Sequence, residues 1–81
     1  MQSNIEMYNG VFNKVFGLTS DDLANDPSMM SVDSWDSMAH MELIANLEAE
    51  FGIMLSPLQI IEINSYGTGL GVLAGCGIVF D

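Results

Sequence analysis

WDSMAHMELIANLEAEFGIMLSP, residues 35–57, is the stretch whose pattern decides the fold of this 81-residue chain. Apolar residues recur in it at helical spacing after Met38, and Gly52 is a typical C-terminal stop. Ser37 stands just before this pattern, where its hydroxyl can accept hydrogen bonds from the free N–H groups of the first turn. The stretch therefore predicts an amphipathic helix from about Met38 to Glu50, with Ser37 as its N-cap.

The predicted helix has two different faces when it is drawn on a wheel at about 100° per residue. The core face carries Leu43, Ile44, Leu47 and Phe51, with His40 at its edge. The outer face combines apolar and acidic side chains: Met38, Met41, Glu42, Ala45, Glu48 and Ala49. One interpretation is a solvated face, because single exposed apolar residues are ordinary. The other is a docking surface, because methionine repacks easily and the acids orient a basic partner.

His40 follows Ser37 by three residues, which raises the hypothesis of a Ser–His hydrolase. Such an enzyme also needs an orienting acid and an oxyanion hole, and the sequence indicates neither. We therefore expect His40 to be a hydrogen-bonded residue at the edge of the core, and we do not expect an enzyme.

The segment before residue 35 divides into a helix and a long loop. Helix I is predicted from Asn4 to Phe16, where apolar residues recur at helical spacing, and Gly17 is its predicted stop. Leu18 to Asp36 is predicted to be a loop with one short capped turn at 19–22. We expect its apolar residues to anchor it to the bundle: Leu23, Met29, Met30, Val32 and Trp35. The loop acids do not follow the calcium-loop pattern, so no metal site is expected.

Two further helices are predicted after residue 55. Ser56-Pro57 predicts the start of a short helix III, because Ser is a good N-cap and Pro suits the first helical position. The expected apolar side of this helix is Leu58, Ile60, Ile61 and Ile63. Asn64 to Gly67 is predicted to be a turn, and helix IV is predicted from Thr68 to Phe80. Its glycines at 67, 71 and 75 have a spacing that lets helices approach closely, at a cost in helix propensity.

These segments predict one all-α domain, residues 1–81: a small four-helix bundle with a long loop between helices I and II and a short helix III. One Lys+Arg against 11 Asp+Glu gives a formal net charge of −10. This field disfavours binding to nucleic acid and to anionic membranes, and it attracts proteins with basic patches.

Cysteine usage and hydropathy bear on the compartment. Cys76 is the single cysteine and cannot form an internal disulfide, and we expect it to be buried as a small apolar residue. The N-terminal residues lack the pattern of a secretory signal, and no apolar run has the length of a membrane-spanning helix. These observations indicate a protein of the reducing cytoplasm.

The motif Asp36-Ser37-Met38, with the helical residues that follow it as far as Gly52, resembles the acyl carrier protein family, in its stand-alone type. The resemblance is concentrated in residues 35–57 and extends more weakly over nearly the whole chain. It implies that Ser37 carries a 4'-phosphopantetheine arm, with Met38 in the position of the family's leucine. Asp36 would then assist recognition by a phosphopantetheinyl transferase. Ser34-Trp35 replaces the glycine-containing pair common in fatty-acid carriers, as in carriers of specialised or cell-surface biosynthesis.

The resemblance implies a function as well as a modification. The arm would hold an acyl group as a thioester for partner enzymes that load and transfer it, and that bind through basic patches. They would dock on the outer face of helix II, at Met38, Met41, Glu42, Ala45 and Glu48. Helix III would help to gate an acyl cavity, with Ile61 and Ile63 as the residues of interest, and a monomer suits such a shuttle.

Two alternatives to an acyl carrier remain open from the sequence. An aminoacyl or D-alanyl carrier would have the same fold and the same modified serine, and would differ only in the loaded group. An acidic helical interaction module without a prosthetic group would use Ser37 only as a helix cap.

Overall fold

The structure is a computed structural model that describes residues 2–80, and within this range it is all-α, as predicted. Its helices are α1 (Asn4–Phe16), α2 (Ser20–Leu23), α3 (Ser37–Phe51), α4 (Pro57–Glu62) and α5 (Tyr66–Gly75). The main helix pairs are α1 with α3 and α4 with α5. The four predicted helices are present, and the capped turn expected near residue 20 is a fifth, one-turn helix.

Reciprocal capping explains both the first helix and this added turn. Ser3 and Glu6 form a capping box at the start of α1, which ends at Gly17 with φ +70°. Thr19 and Asp22 do the same for α2: the Thr19 hydroxyl accepts from the Asp22 N–H, and the Asp22 carboxylate accepts from the Thr19 N–H at 2.9 Å. The hydrogen bonds from Thr19 hold the pKa of the Asp22 carboxyl below its ordinary value.

The remainder of the predicted loop, residues 24–36, is held mainly by backbone contacts with the start of α5. The Tyr66 N–H donates to the Pro27 carbonyl at 2.8 Å, and the Met29 N–H donates to the Asn64 carbonyl at 3.0 Å. Leu23 and Trp35 are buried as predicted, and Val32 is half-buried. Met29 and Met30 are exposed, Met30 to 97%, so their prediction as anchors is wrong. The backbone pairing holds this segment and leaves their side chains in solvent.

The aromatic side chains, one Trp, two Tyr and four Phe, form one connected cluster inside the bundle. Tyr8 lies at its centre, with ring centroids 5.0 Å from Phe12, 5.2 Å from Tyr66 and 5.5 Å from Phe80. The Tyr8 hydroxyl donates to the Tyr66 carbonyl at 2.7 Å, and the Tyr66 hydroxyl donates to the Asn9 side chain. Burial raises the pKa of both tyrosines, most strongly that of Tyr8.

α5 differs from its prediction in its bounds. It begins at Tyr66, inside the predicted turn, because the Ser65 and Thr68 side chains form a capping box. It ends at Gly75, and Gly77 with φ +93° redirects the chain into a tail instead of continuing the helix to Phe80. Asn4 ties this tail to α1 by donating to the Val79 carbonyl at 2.9 Å.

The tightest approach at an α5 glycine occurs at Gly69, outside the predicted series, although a Cβ added at Gly67 would also lie 3.1 Å from the Asp26 carboxylate. A Cβ added at Gly69 would overlap the Tyr8 hydroxyl, whereas one at Gly71 or Gly75 would meet nothing within 4 Å. Gly69 is buried and lets α5 pack directly on Tyr8. The i, i+4 spacing of the other glycines, at 67, 71 and 75, places them on exposed positions. Cys76 is half-buried, and the Gln59 side chain donates to its Sγ at 3.5 Å.

α4 buries less of its surface than its sequence predicts. Ile63 is fully buried and Ile60 is half-buried, but Leu58 is 67% exposed and Ile61 is 72% exposed. The prediction of one apolar side is therefore wrong for Leu58 and Ile61. A six-residue helix with apolar residues around most of its circumference can turn only some of them toward the core.

Candidate functional site

Asp36, and not Ser37, is the N-cap of α3. Its carboxylate accepts from the Ala39 N–H at 2.8 Å, and its carbonyl accepts from the His40 N–H at 2.8 Å. Ser37 is the first helical residue, so its prediction as N-cap is wrong by one position. A carboxylate is at least as good a cap as a hydroxyl, and it also complements the positive end of the helix dipole. As a result the exposed Ser37 hydroxyl takes no part in the capping hydrogen bond.

Trp35 and His40 support this turn from the core side. The Trp35 Nε1–H donates to His40 Nδ1 at 3.0 Å, and His40 Nε2 lies 2.9 Å from the Ile60 carbonyl. Because Nδ1 accepts a hydrogen bond, the neutral ring carries its hydrogen on Nε2 and donates it to Ile60. The expectation of a hydrogen-bonded histidine at the core edge is confirmed, with His40 only 9% exposed. Both ring nitrogens make structural hydrogen bonds, which join the turn before α3, α3 itself and α4.

The outer face of α3 follows the predicted pattern with one exception. Met38 is 84% exposed and Met41 is 54% exposed, and Glu42 and Ala45 are also exposed. Glu48 is half-buried, and its carboxylate accepts from the Leu55 N–H at 2.8 Å. This acid therefore has a structural role in holding the segment between α3 and α4, in addition to its place on the predicted docking face.

The exposed apolar surface includes residues around α4 that the sequence pattern did not predict to be exposed. Leu58 and Ile61 on α4 and Met54 before it are exposed, and α4 is held to α3 through His40 and Ile60. The two residues that the resemblance assigns to a gate have different environments, because Ile63 belongs to the core and Ile61 faces solvent. The sequence does contain one indication of this exposure: α4 is short, because it must fit between its Ser56 cap and the turn after Glu62.

Residues 2–80 contain no group of three or more His, Cys, Asp or Glu side chains placed to hold a metal ion. None of the helices in this range is long and apolar enough to cross a membrane. A surface groove of about 570 Å³ lies between α4 and α5 and is lined by Gln59, Glu62, Asn64, Thr68, Gly71, Val72 and Gly75.

The start of α3 suits a covalently attached phosphate. A phosphate attached to the exposed hydroxyl of this first helical residue would lie near the N–H groups and the positive dipole end of a 15-residue helix. Ser37 is exposed, as are Met38 and Met41, which follow it on α3. Comparison of the chain with known protein families, with curated proteins and with solved structures gives no match.

Proposed function

We propose that this chain is a carrier protein that is modified on Ser37 with 4'-phosphopantetheine and delivers a thioester-bound acyl or related group to partner enzymes. The observation that carries the proposal is the position of Ser37: it is exposed, it is the first residue of α3, and Asp36 makes the cap in its place. The resemblance of residues 35–57 to acyl carrier proteins supports the same assignment. The proposed location is the cytoplasm.

The chain itself is the substrate of the modification and performs no catalysis. The Ser37 Oγ forms a new bond to the phosphorus that carries the pantetheine in coenzyme A. The P–O bond to the remaining nucleotide breaks, adenosine 3',5'-bisphosphate leaves, and the hydroxyl proton passes to a base of the phosphopantetheinyl transferase. Asp36, adjacent to Ser37 in the chain, would lie beside the new phosphodiester and could contribute to recognition by the transferase or its magnesium ion. The attached arm supplies a thiol that holds the carried group.

The same site is compatible with an aminoacyl or D-alanyl carrier, which would differ only in the loaded group. A module without a prosthetic group is the competing proposal, in which the acidic outer face of α3 alone would bind partners. Its basis is the formal net charge of −10 and the exposure of Met38 and Met41. The modification of Ser37 separates these two classes.

The decisive experiment is intact-mass analysis after incubation with a broad-specificity phosphopantetheinyl transferase, magnesium and coenzyme A. We expect the wild type to gain the mass of a single arm and Ser37→Ala to gain none. Ser34→Ala is the matched control, because it removes another exposed hydroxyl only three residues away, and it should be modified like the wild type. Absence of any mass gain in a folded wild type, across several transferases, would leave the interaction module as the better explanation.

The proposed docking face predicts a position-dependent effect of charge reversal. Glu42→Lys is expected to slow modification by the transferase about tenfold at low salt, because Glu42 lies about 8 Å along the helix from Ser37 and faces a basic partner. Glu50→Lys makes the same charge change on the same helix about 20 Å from Ser37, and its rate should stay within about twofold of the wild type. The rates are measured by mass spectrometry at low and high salt. Equal slowing by the two variants would refute docking on the outer face.

A further inference from the structure

The interior of the bundle is occupied by rings that are fixed by directional contacts. The side chains of Tyr8, Phe12, Leu43, Leu47 and Ile63 are fully buried. Three members of the aromatic cluster are buried in this core and four are half-buried at its edge, with neighbouring ring centroids between 4.9 and 6.1 Å apart. Aromatic pairs at such distances have preferred relative orientations, so the cluster deforms less easily than an aliphatic core.

Hydrogen bonds restrain the rings further. The Tyr8 hydroxyl donates to the Tyr66 carbonyl, the Tyr66 hydroxyl to Asn9, and the Trp35 Nε1–H to His40. A chain that pushed the Tyr8 or Trp35 ring aside would leave a buried polar atom without a partner, which is unfavourable. The second bond of His40, to the Ile60 carbonyl, also ties α3 to α4.

The groove beside this core has a mixed polar and apolar lining. The groove between α4 and α5 is open, and its lining includes Gln59, Glu62, Asn64 and Thr68, whose polar side chains do not suit a hydrocarbon chain.

We propose, on the basis of the function proposed above, that the group carried by Ser37 is short or polar and stays in solvent. A long acyl chain is not taken into this bundle, because entry would displace hydrogen-bonded aromatic rings. The substrate class is therefore a small acyl or aminoacyl group, and partner enzymes receive it without first extracting it from the carrier.

The test loads the full chain with acetyl, hexanoyl or decanoyl groups, by supplying the transferase with the corresponding coenzyme A thioesters. We expect the three loaded forms to have the same melting temperature, and their thioesters to be cleaved by hydroxylamine at rates within about twofold of one another, because none of them is protected by the fold. A melting temperature that rises with chain length, together with slower cleavage of the decanoyl form, would overturn the inference.

Phe16→Ala is the matched variant for this test. Phe16 is half-buried at the edge of the cluster, with its ring centroid 4.9 Å from that of Trp35, so truncation opens space with limited damage to the core. We expect its decanoyl form to become protected while the wild type does not. Failure of every loading reaction would have a different meaning: the mass measurement would then reject the proposed modification itself, and the inference would fall with it.

Discussion

Gly69→Ala is expected to destabilise the protein by about 3 kcal/mol, because the new methyl group would overlap the hydroxyl of Tyr8. Tyr8 has little freedom to move away. Its hydroxyl is hydrogen-bonded to the Tyr66 carbonyl, and its ring contacts Phe12 and Phe80 within the aromatic cluster. Relief would therefore require a shift of α5 or of the cluster as a whole.

Gly71→Ala provides the matched control, two residues further along the same helix. Its added Cβ would meet nothing within 4 Å, and the position is exposed. Here only helix propensity changes, and alanine should stabilise α5 by about 0.5 to 1 kcal/mol. The two identical substitutions are thus predicted to have opposite signs, which denaturant unfolding followed by circular dichroism can measure.

A second substitution identifies the contact responsible. Tyr8→Phe removes the hydroxyl, so adding it to Gly69→Ala should recover part of the lost stability, and the two changes should not be additive. If Gly69→Ala were no less stable than Gly71→Ala, or if the double variant showed simple additivity, direct packing of α5 on Tyr8 would be refuted.

The sequence predicts α1 and α3 well because these helices carry long periodic patterns and their own stop signals. Both end at a glycine with positive φ, Gly17 and Gly52, as their spacing indicates. The all-α class follows from the same patterns. The predicted start of α3 differs from the observed start by one residue. Asp36 and Ser37 are both good caps, and only the backbone conformation decides between them.

The other predictions that proved wrong depend on tertiary contacts, which no local sequence pattern contains. Met30 faces solvent because the backbone around Pro27 and Met29 pairs with the start of α5. The role of Gly69 depends on where Tyr8 lies, 61 positions earlier in the chain. For the candidate site, the place of His40 at the edge of the core was predicted from helix periodicity, whereas its partners at Trp35 and Ile60 required the fold.

His40→Ala is the second change with a large expected effect, a loss of about 3 kcal/mol in the free energy of unfolding. The substitution removes two hydrogen bonds at once and leaves the Trp35 Nε1–H and the Ile60 carbonyl without their partner. It also leaves a gap next to the Trp35 ring, whose centroid lies 6.1 Å from that of His40. Trp35 is the single tryptophan of the chain, so its fluorescence should report the added mobility and water.

Asn46→Ala is the comparison variant on the same helix, since the Asn46 side chain makes only a local hydrogen bond to the Glu42 carbonyl. It should cost less than about 1 kcal/mol, because half-buried Asn46 loses only this one local hydrogen bond. The loss of stability in His40→Asn should lie between those of His40→Ala and Asn46→Ala, because the shorter Asn side chain can still accept from Trp35 but cannot reach the Ile60 carbonyl.

The position of His40 also bears on the proposed function. His40 connects two parts of the structure: the turn just before Ser37, and α4. The exposed Leu58 and Ile61 lie on α4. Asp36 caps the start of α3 without help from His40. Ser37 should therefore remain modifiable in His40→Ala below the melting temperature of this variant. Unchanged stability and unchanged tryptophan emission in His40→Ala would show that the two hydrogen bonds do not hold α4 in place.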